Sequence, residues 1–265
     1  MQRSETFYFN VKPLGPTTPK LGHGGTMPNQ KVNGNNTNSD KGKLLSQIAY
    51  EKIKEAIIEN DFAPGQEVTE SQLAERFNIG KAPVRFALAN LIQEGLVSSQ
   101  SRRGYVIAPL TMKDIHEVWG IRKLLEMEAA KLAAGKVDIN RLKDLDRICK
   151  KGFRVDDILT QRAYLSANKE FHLTICKATE NLRMVTLVEQ LIDHMTRMFL
   201  LGIVMSNTEK HFTEGHKPLI DALEQGDGNR ASECVREHLN SGLDSVLNAV
   251  MKSPTLLQIN LVAEP

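Results

Sequence analysis

Cysteine, aromatic residues and long hydrophobic runs are all scarce in this 265-residue chain. The three cysteines at positions 149, 176 and 234 are far apart and lack Cys-x-x-Cys spacing, which excludes a disulfide framework and a thiolate zinc site. The longest apolar run, residues 199–205, is too short to cross a bilayer, and the start of the chain lacks an apolar segment of signal-peptide length. We therefore expect a soluble cytoplasmic protein with no membrane partner.

A large excess of charge of one sign is also absent. The net charge is only +2 at pH 7, so binding to nucleic acid would require a local cluster of cations rather than the field of the whole chain. The length suffices for two domains, and 41% hydrophobic with 5% aromatic residues favours packed helices over a barrel. We expect a mainly helical protein.

The first 43 residues have the composition of a disordered segment. They are rich in Gly, Pro, Asn and Thr, and six lysines or arginines outnumber two acids. Such a segment cannot bury enough apolar surface to offset its ordering entropy. We predict a disordered basic leader over residues 1–43, and the alternative is a basic arm that touches the DNA backbone.

Two short helices with clear start and stop signals are predicted further along. Thr69 can cap the first helix, and Gln72 can reach back to complete a capping box. Pro83 falls in the first turn of the second helix, where its missing N–H breaks no helical bond, and Gly95 ends that helix. Two short helices joined by a few residues make a helix-turn-helix. The next residues alternate apolar and polar side chains around a turn, which predicts a β-hairpin wing.

Basic residues are concentrated in the second helix and the wing. Lys81 and Arg85 are four residues apart, so they project together from the helix start, the part of a recognition helix that reaches base edges in the major groove. Residues 80–105 contain four basic residues and one acidic residue, whereas residues 51–75 contain seven acidic residues and two lysines. This local charge favours contact with DNA over an ordinary solvated face. The residues predicted to bind DNA are Ser71, Lys81, Arg85, Arg102, Arg103 and Gly104.

Several motifs resemble the winged helix-turn-helix of GntR-type bacterial regulators. They are Ala-Pro-Gly-Gln-Glu-Val at 63–68, Leu-Ala-Glu at 73–75, Pro-Val-Arg at 83–85 and Glu-Gly-Leu-Val at 94–97. Downstream, a second group of residues resembles the all-helical effector domain of the subfamily named after the fatty-acid regulator. These residues are Arg122, Glu126, Glu-Phe-His at 170–172, His216 and His238. The resemblance implies a winged helix-turn-helix domain over 44–110, an effector-binding and dimerisation domain over 111–252 and a tail over 253–265.

Three positions of the recognition helix depart from the family pattern. Gly80 stands where Ser is usual, Lys81 where Arg is common and Phe86 where Glu is usual. A glycine at a helix N-cap loses only roughly a few tenths of a kcal/mol relative to the preferred residues. Lysine cannot make the flat bidentate fork to guanine that arginine makes, so we expect a different base preference at Lys81.

From residue 112 onward almost every segment has a helical pattern. Breaks fall where glycine and asparagine stand, at 135, 152, 181, 207 and 226–229. Six helices with short connections pack as an antiparallel bundle, and bundles build ligand sites between facing helices. The predicted fold is mainly α, an N-terminal winged helix-turn-helix followed by an antiparallel six-helix bundle. The predicted helices of the bundle span 112–134, 138–153, 156–179, 182–206, 209–225 and 230–251.

Three histidines and one asparagine of the bundle are placed to converge. His216 and His238 lie eleven residues on either side of Asp227, the centre of a helix hairpin, so they stand at one level. Asn168 and His172 are four residues apart and share one face of another helix. Three imidazoles and one oxygen donor would bind a divalent transition metal such as zinc or nickel. The alternative is a polar pocket whose histidines bind one another, water or an anionic ligand.

The family resemblance implies the same four metal positions, with an acidic residue where this chain has Asn168. Asparagine is a neutral and weaker oxygen donor, so we expect weakened metal binding. The family also places an arginine at position 122 to grip the carboxylate of an effector, which a guanidinium does bidentately. The alternative for Arg122 is an intrahelical pair with Glu126, worth little. Three further histidines, His116, His194 and His211, are expected to be ordinary surface or core residues rather than ligands.

These features predict a ligand-responsive transcription regulator rather than an enzyme. A homodimer would bind a pseudo-palindromic double-stranded operator, and a small carboxylate in the helical domain would shift the population between DNA-competent and DNA-incompetent states. Repression released by the effector is the expected outcome. The alternative from another class is a metal-dependent hydrolase that uses the histidines to activate water. It lacks a general base, because no carboxylate is paired with the histidines by spacing.

Overall fold

The computed structural model describes residues 37–100, 104–154, 156–206 and 215–252. Its N-terminal part has three strands, β1 (Glu67–Val68), β2 (Val97–Gln100) and β3 (Gly104–Ile107), which form one antiparallel sheet in the order β1-β3-β2, so a short strand extends the β2–β3 hairpin. The first helix begins at Thr37, within the leader predicted over residues 1–43, and the rest of that leader lies outside the described residues. The N-terminal elements are α1 (Thr37–Ile58), β1 (Glu67–Val68), α2 (Glu70–Phe77), α3 (Lys81–Gln93), β2 (Val97–Gln100) and β3 (Gly104–Ile107).

Local sequence signals explain where the helices of the helix-turn-helix begin and end. The Thr69 hydroxyl accepts a hydrogen bond from the Gln72 backbone N–H at 3.2 Å, and the Gln72 side chain accepts one from the Thr69 N–H at 2.9 Å, which confirms the predicted capping box. Helix α2 ends at Asn78, whose left-handed backbone (φ 53°) asparagine tolerates better than most residues. The helices and sheet share a core that includes Ala49, Ile53, Leu73, Val84, Leu88, Leu91 and Ile107.

Helices make up the rest of the described chain. Trp119 on α4 donates from its indole Nε1 to the carbonyl oxygen of Leu239 on α9 at 3.0 Å, which ties two long helices together in the interior. This arrangement confirms the predicted mainly α fold, with a winged helix-turn-helix followed by a helical bundle. No helix in these ranges is long and apolar enough to cross a membrane. The helices are α4 (Met112–Ala133), α5 (Ile139–Lys151), α6 (Ile158–Lys177), α7 (Leu182–Ser206), α8 (Lys217–Glu224) and α9 (Gly228–Lys252).

Helix α8 is shorter than the sequence periodicity predicts. The pattern predicts a helix over 209–225, whereas α8 begins at Lys217, and residues 207–214 lie outside the described part of the chain. Pro218 stands in the first turn of α8, where its missing N–H is tolerated. In the interior of a longer helix the same proline would remove a backbone hydrogen bond. Proline therefore favours the later start, and His216 becomes the N-cap residue of α8.

Helix α7 contacts both domains. The Nζ atom of Lys54 in α1 lies 2.8 Å from Glu94 at the end of α3 and 2.9 Å from Asp193 of α7. The neighbouring His194 donates from Nε2 to the backbone carbonyl of Glu94 at 2.8 Å, which gives this histidine a structural role. Arg197 donates from Nη2 to a carbonyl oxygen just after the wing at 2.9 Å. One face of α7 therefore holds the N-terminal domain in place.

Candidate functional site

The three histidines singled out from the sequence come together inside the helical domain. His172 lies on α6, His216 precedes α8 and His238 lies on α9. Their ring centroids are 6.0 Å apart for His172 and His216, 5.2 Å for His172 and His238, and 4.6 Å for His216 and His238. One ring nitrogen of each lies within 4.8 Å of one ring nitrogen of the other two. Such a spacing allows three imidazoles to bind a single metal ion.

Two buried carboxylates orient two of these imidazoles. The Nδ1 atom of His172 lies 2.6 Å from Oε2 of Glu126, and the Nδ1 atom of His216 lies 3.0 Å from Oδ1 of Asp146. Within the described residues, the Nε2 atom of each imidazole is buried and has no hydrogen-bond partner. A carboxylate on Nδ1 fixes the tautomer that leaves the Nε2 lone pair free for a metal. Sequence reasoning missed both pairings, which cross between helices.

The charges of the cluster suit a cation. Burial lowers the pKa of His216, and burial together with the neighbouring imidazoles places the pKa of His238 well below its ordinary value. Although burial opposes its ionisation, the positive charge of Arg122 and a hydrogen bond from His172 lower the pKa of Glu126 to about 2. At neutral pH, His216 and His238 are therefore neutral and the carboxylate is ionised. This is the protonation state that metal binding requires.

Asn168 stands one turn before His172 on α6, as the sequence predicts, and both side chains are buried. Its amide oxygen is a neutral donor where the family resemblance implies an acidic ligand. The metal roles of Asn168, His172, His216 and His238 remain predictions.

Arg122 is buried, and only part of its guanidinium is hydrogen-bonded. Its Nε donates to Oε1 of Glu126 at 2.6 Å, and both side chains are at most 3% exposed, so the intrahelical pair forms in the interior rather than at the surface. The Nη1 atom lies 2.7 Å from the sulfur of Met195 on α7. In the described structure the Nη2 atom has no hydrogen-bond partner. A buried guanidinium nitrogen with an unused N–H is suited to bind an anion.

The exposed face of α3 carries the residues predicted to read DNA. The side chain of Arg85 is 68% exposed, and it makes a bidentate pair with Glu70 of α2 at 2.9 and 2.8 Å. The hydroxyl of Tyr105 in β3 donates to the same carboxylate at 3.0 Å. Lys81 begins α3 and is also exposed. The guanidinium is therefore held at the surface by a neighbouring helix.

Other residues predicted to bind DNA have different surroundings. Ser71 is exposed in the first turn of α2. Gly104 has φ +97°, and an added Cβ would stand 2.7 Å from the carbonyl oxygen of Val68, so only glycine fits at this start of β3 beside β1. Arg102 and Arg103 lie outside the described residues. The DNA contacts of all six positions remain predictions.

Two family models match the chain. One is described as bacterial regulatory proteins, gntR family, and matches residues 45–107; the other, the FCD domain, matches residues 117–241. The chain is 24% identical over 192 residues to the uncharacterized HTH-type transcriptional regulator YdhC of Bacillus subtilis, a match that covers 72% of this chain and 86% of that protein. It is 22% identical over 208 residues to the HTH-type transcriptional repressor RspR of Escherichia coli, covering 76% and 89%.

The fold also matches that of a solved structure. The structure of E. coli McbR/YncC matches with a TM-score of 0.62 at 20% sequence identity, over 77% of this chain and 97% of that one. The matched families and relatives are transcription regulators, not enzymes, and none supports the hydrolase alternative. The chain belongs to the GntR family of bacterial regulatory proteins and is a DNA-binding transcription regulator with an FCD domain.

Proposed function

We propose that this protein is a homodimeric repressor whose helical domain holds a divalent metal ion and a small organic acid, and that binding of the acid releases operator DNA. The observation that carries this proposal is the cluster of His172, His216 and His238, in which the two buried imidazoles, those of His172 and His216, present unpartnered Nε2 atoms within the described chain. Burying an unsatisfied polar group is unfavourable, so we expect these nitrogens to bind a metal ion, a ligand or ordered water.

The donor set fits zinc or nickel. Imidazole nitrogens are favoured ligands of both ions, and His172, His216 and His238 offer three of them. Asn168 would add a neutral oxygen, which weakens the site relative to one with a carboxylate. A bound ion would supply a positive charge that attracts the carboxylate of an effector. The remaining coordination positions would be open to water or to that carboxylate.

Arg122 supplies a second positive charge beside the cluster. Burial, the other two imidazoles and then Arg122 together hold the pKa of His238 low, which reflects the proximity of the guanidinium to the ring. Its Nη2 atom is buried and, in the part of the chain described, lacks a hydrogen-bond partner. An acid bound at the metal could therefore receive a hydrogen bond from Arg122. This chemistry favours a small carboxylate over a neutral effector.

A contiguous set of contacts connects this site to the DNA-binding domain. Arg122 contacts Met195 on α7, and the residues next to Met195 on α7 contact the DNA-binding domain. Asp193 pairs with Lys54, and His194 donates to the Glu94 carbonyl at the end of the recognition helix. A ligand that changes the position of Arg122 would therefore act on α7. Differential affinity for two positions of α7 would shift the population of DNA-competent molecules.

The proposal of a dimer rests on the symmetry of operators and on an exposed apolar face, and the proposal of repression rests on a relative. Two copies of a winged helix-turn-helix would bind the two halves of a pseudo-palindromic operator. Exposed Ile121, Leu124 and Leu132 on α4 offer an apolar face to a second copy. RspR of E. coli is named a repressor, which supports repression here.

Metal content tests the first part of the proposal. Purified protein is loaded with zinc or nickel, dialysed, and measured by plasma mass spectrometry. We expect wild type to retain metal, His216→Ala to lose most of it and Asn168→Asp to hold it more tightly against a chelator. His116→Ala is the matched control, because His116 is an exposed histidine of α4. If wild type and Asn168→Asp both elute without metal, the histidines serve another ligand.

Operator release tests the second part. A duplex is selected from a random library with wild-type protein, and small carboxylates are screened for release of that duplex. We expect an active acid to lose its effect on Arg122→Lys, which keeps the charge but not the planar fork. Thermal unfolding of the variant shows whether the fold is retained. If the same acid concentration releases the duplex from wild type and from Arg122→Lys, Arg122 does not bind the carboxylate of the effector.

A further inference from the structure

An exposed aromatic side chain stands on the outer face of the recognition helix. Phe86 is 67% exposed, and the core side of α3 is formed instead by Val84, Ala87, Leu88 and Leu91. Single exposed hydrophobic residues are common on protein surfaces, so exposure by itself does not assign a role. The position of Phe86 on α3 is what distinguishes it.

Phe86 belongs to the half of α3 that carries the exposed cations. It is the next residue after Arg85, and it lies one turn after Ala82, which is also exposed. Long side chains in helices lie over the preceding turn, so the ring is expected to cover the surface at Ala82 and extend toward the helix start. The first turns of a recognition helix are the part that meets base edges in the major groove. An apolar ring therefore stands where DNA bases would be read.

The major groove offers one apolar group to such a ring. Among the four bases only thymine presents a methyl group there, whereas the other edges present hydrogen-bond donors and acceptors. A phenylalanine cannot make those hydrogen bonds, but it can bury a methyl group. The small Ala82 and Ala89 on the same exposed face leave Phe86 as the bulkiest apolar side chain available.

We propose that Phe86 is a specificity-determining residue, whose ring packs against the C5-methyl group of a thymine in each operator half-site. This inference rests on the proposed function, because it requires α3 to enter the major groove. Lys81 and Arg85 attract and orient the DNA, and Phe86 adds a preference for thymine at the base pairs facing the ring. The preference comes from excluding water from a methyl group rather than from a hydrogen bond.

Replacing thymine by uracil tests the inference, since uracil lacks only the methyl group. A duplex is selected from a random library with wild-type full-length protein, and variants of it carry deoxyuridine at one symmetric pair of thymines at a time. We expect wild type to lose about fourfold to tenfold in affinity per half-site at one or two positions, the effect of exposing one methyl group. Phe86→Ala should bind the parent and uracil duplexes equally, whereas Phe86→Leu should keep part of the penalty.

Ile92→Ala is the matched control, because Ile92 is a large, 37% exposed residue nearer the other end of α3. It should retain the uracil penalties of wild type. The inference is overturned if no thymine position shows a penalty, or if Phe86→Ala keeps the penalty, or if Ile92→Ala also loses it. Failure of wild type to select any duplex would instead overturn the proposed reading of DNA by α3. The two failures are therefore distinguishable.

Discussion

At the scale of single residues, Glu70 controls how Arg85 is presented. The Arg85 guanidinium lowers the pKa of Glu70, so the carboxylate is ionised and holds both hydrogen bonds of the arginine. A negative charge beside a DNA-binding face weakens attraction to any duplex. The same charge fixes the orientation of the arginine that would read a base. We therefore predict that Glu70 lowers the affinity for any duplex and raises the specificity for the operator.

Glu70→Gln should separate these two effects. We expect its affinity for a scrambled duplex to rise, because a negative charge has been removed near the phosphates. The ratio of affinities for selected and scrambled duplexes should fall, because Arg85 loses its ionic partner. Titration of both duplexes at several salt concentrations measures each quantity. Glu75→Gln removes the same charge from another face of α2 and should leave the ratio unchanged; an equal fall there would contradict the orienting role.

Two ion pairs on α4 have the same spacing and opposite surroundings. Arg122 and Glu126 are 1% and 3% exposed, whereas Lys113 and Glu117 are 81% and 64% exposed. Removing one partner of a buried pair leaves an unpaired charge in the interior. We expect Arg122→Ala to lower the free energy of unfolding by about 3–5 kcal/mol, and Lys113→Ala by about 0.5 kcal/mol or less. Denaturant titration measures both, and equal losses would show that Glu126 does not depend on Arg122.

The histidine cluster shows which residue contacts can be predicted from sequence. The convergence of His216 and His238 follows from their equal distance from a helix turn. The shared helix face of Asn168 and His172 follows from their spacing of four residues. The carboxylates of Glu126 and Asp146 could not be found in this way. Each contacts a histidine on another part of the bundle, 70 residues away in the case of Asp146. Helical spacing reports only neighbours on one helix.

At the scale of elements, the N-termini of α2 and α3 differ in a way that can be altered. Thr69 caps α2 with its side chain, whereas Gly80 caps α3 with none. The backbone of Gly80 (φ −64°, ψ 153°) is open to any residue, and an added Cβ would meet only Pro83 Cδ at an ordinary 3.6 Å. The recognition helix therefore lacks a capping hydrogen bond that its geometry allows.

Gly80→Ser should stabilise the protein by about 0.5–1 kcal/mol, because serine supplies the missing acceptor and restricts the unfolded chain. Gly80→Ala is the control, because it restricts the unfolded chain without supplying an acceptor. The difference between the two variants in denaturant unfolding isolates the hydroxyl. A serine variant no more stable than the alanine variant would show that the cap does not form.

Most element boundaries could be predicted because the chain marks them with capping and turn residues. The box at Thr69 and the glycine after α3 are examples. The start of α8 was predicted wrongly, because the helical pattern of residues 217–225 was extended back over residues 209–216, where Phe212 is the one large apolar side chain, against the signal of Pro218. Periodicity reports which face could be buried, whereas proline reports where backbone hydrogen bonds can begin.

At the scale of the whole molecule, a buried ionic network joins the two domains. Asp193 is 3% exposed and lies between Lys54 of the DNA-binding domain and Lys169 of α6, at 2.9 and 2.7 Å. Glu189, one turn earlier on α7, pairs with Lys169 at 3.0 Å. In sequence these charges look like ordinary solvated residues, so their convergence could not be predicted.

Asp193→Asn should loosen the domains from each other. We expect the backbone amides of Ala108, Leu110 and Thr111, between the wing and α4, to exchange hydrogen at least about tenfold faster, because a buried charged contact has been lost. Glu189→Gln is the control on the same helix and should exchange like wild type. Hydrogen-exchange mass spectrometry makes the comparison. Equal rates in Asp193→Asn and wild type would show that other contacts hold the domains together.

The recognition helix is fastened at one end and exposed at the other. Its C-cap residue Glu94 is bonded to Lys54 and His194, whereas Lys81 and Arg85 stand near its start. A helix of 13 residues is about 20 Å long. A rotation of about 5° around the fastened end would therefore displace the first turn by about 2 Å, which is more than a hydrogen bond to a base tolerates. Because α3 packs into the core of the N-terminal domain, a rotation of that domain as one body about its contacts with α7 is geometrically sufficient to take α3 out of alignment with an operator half-site while every helix remains intact.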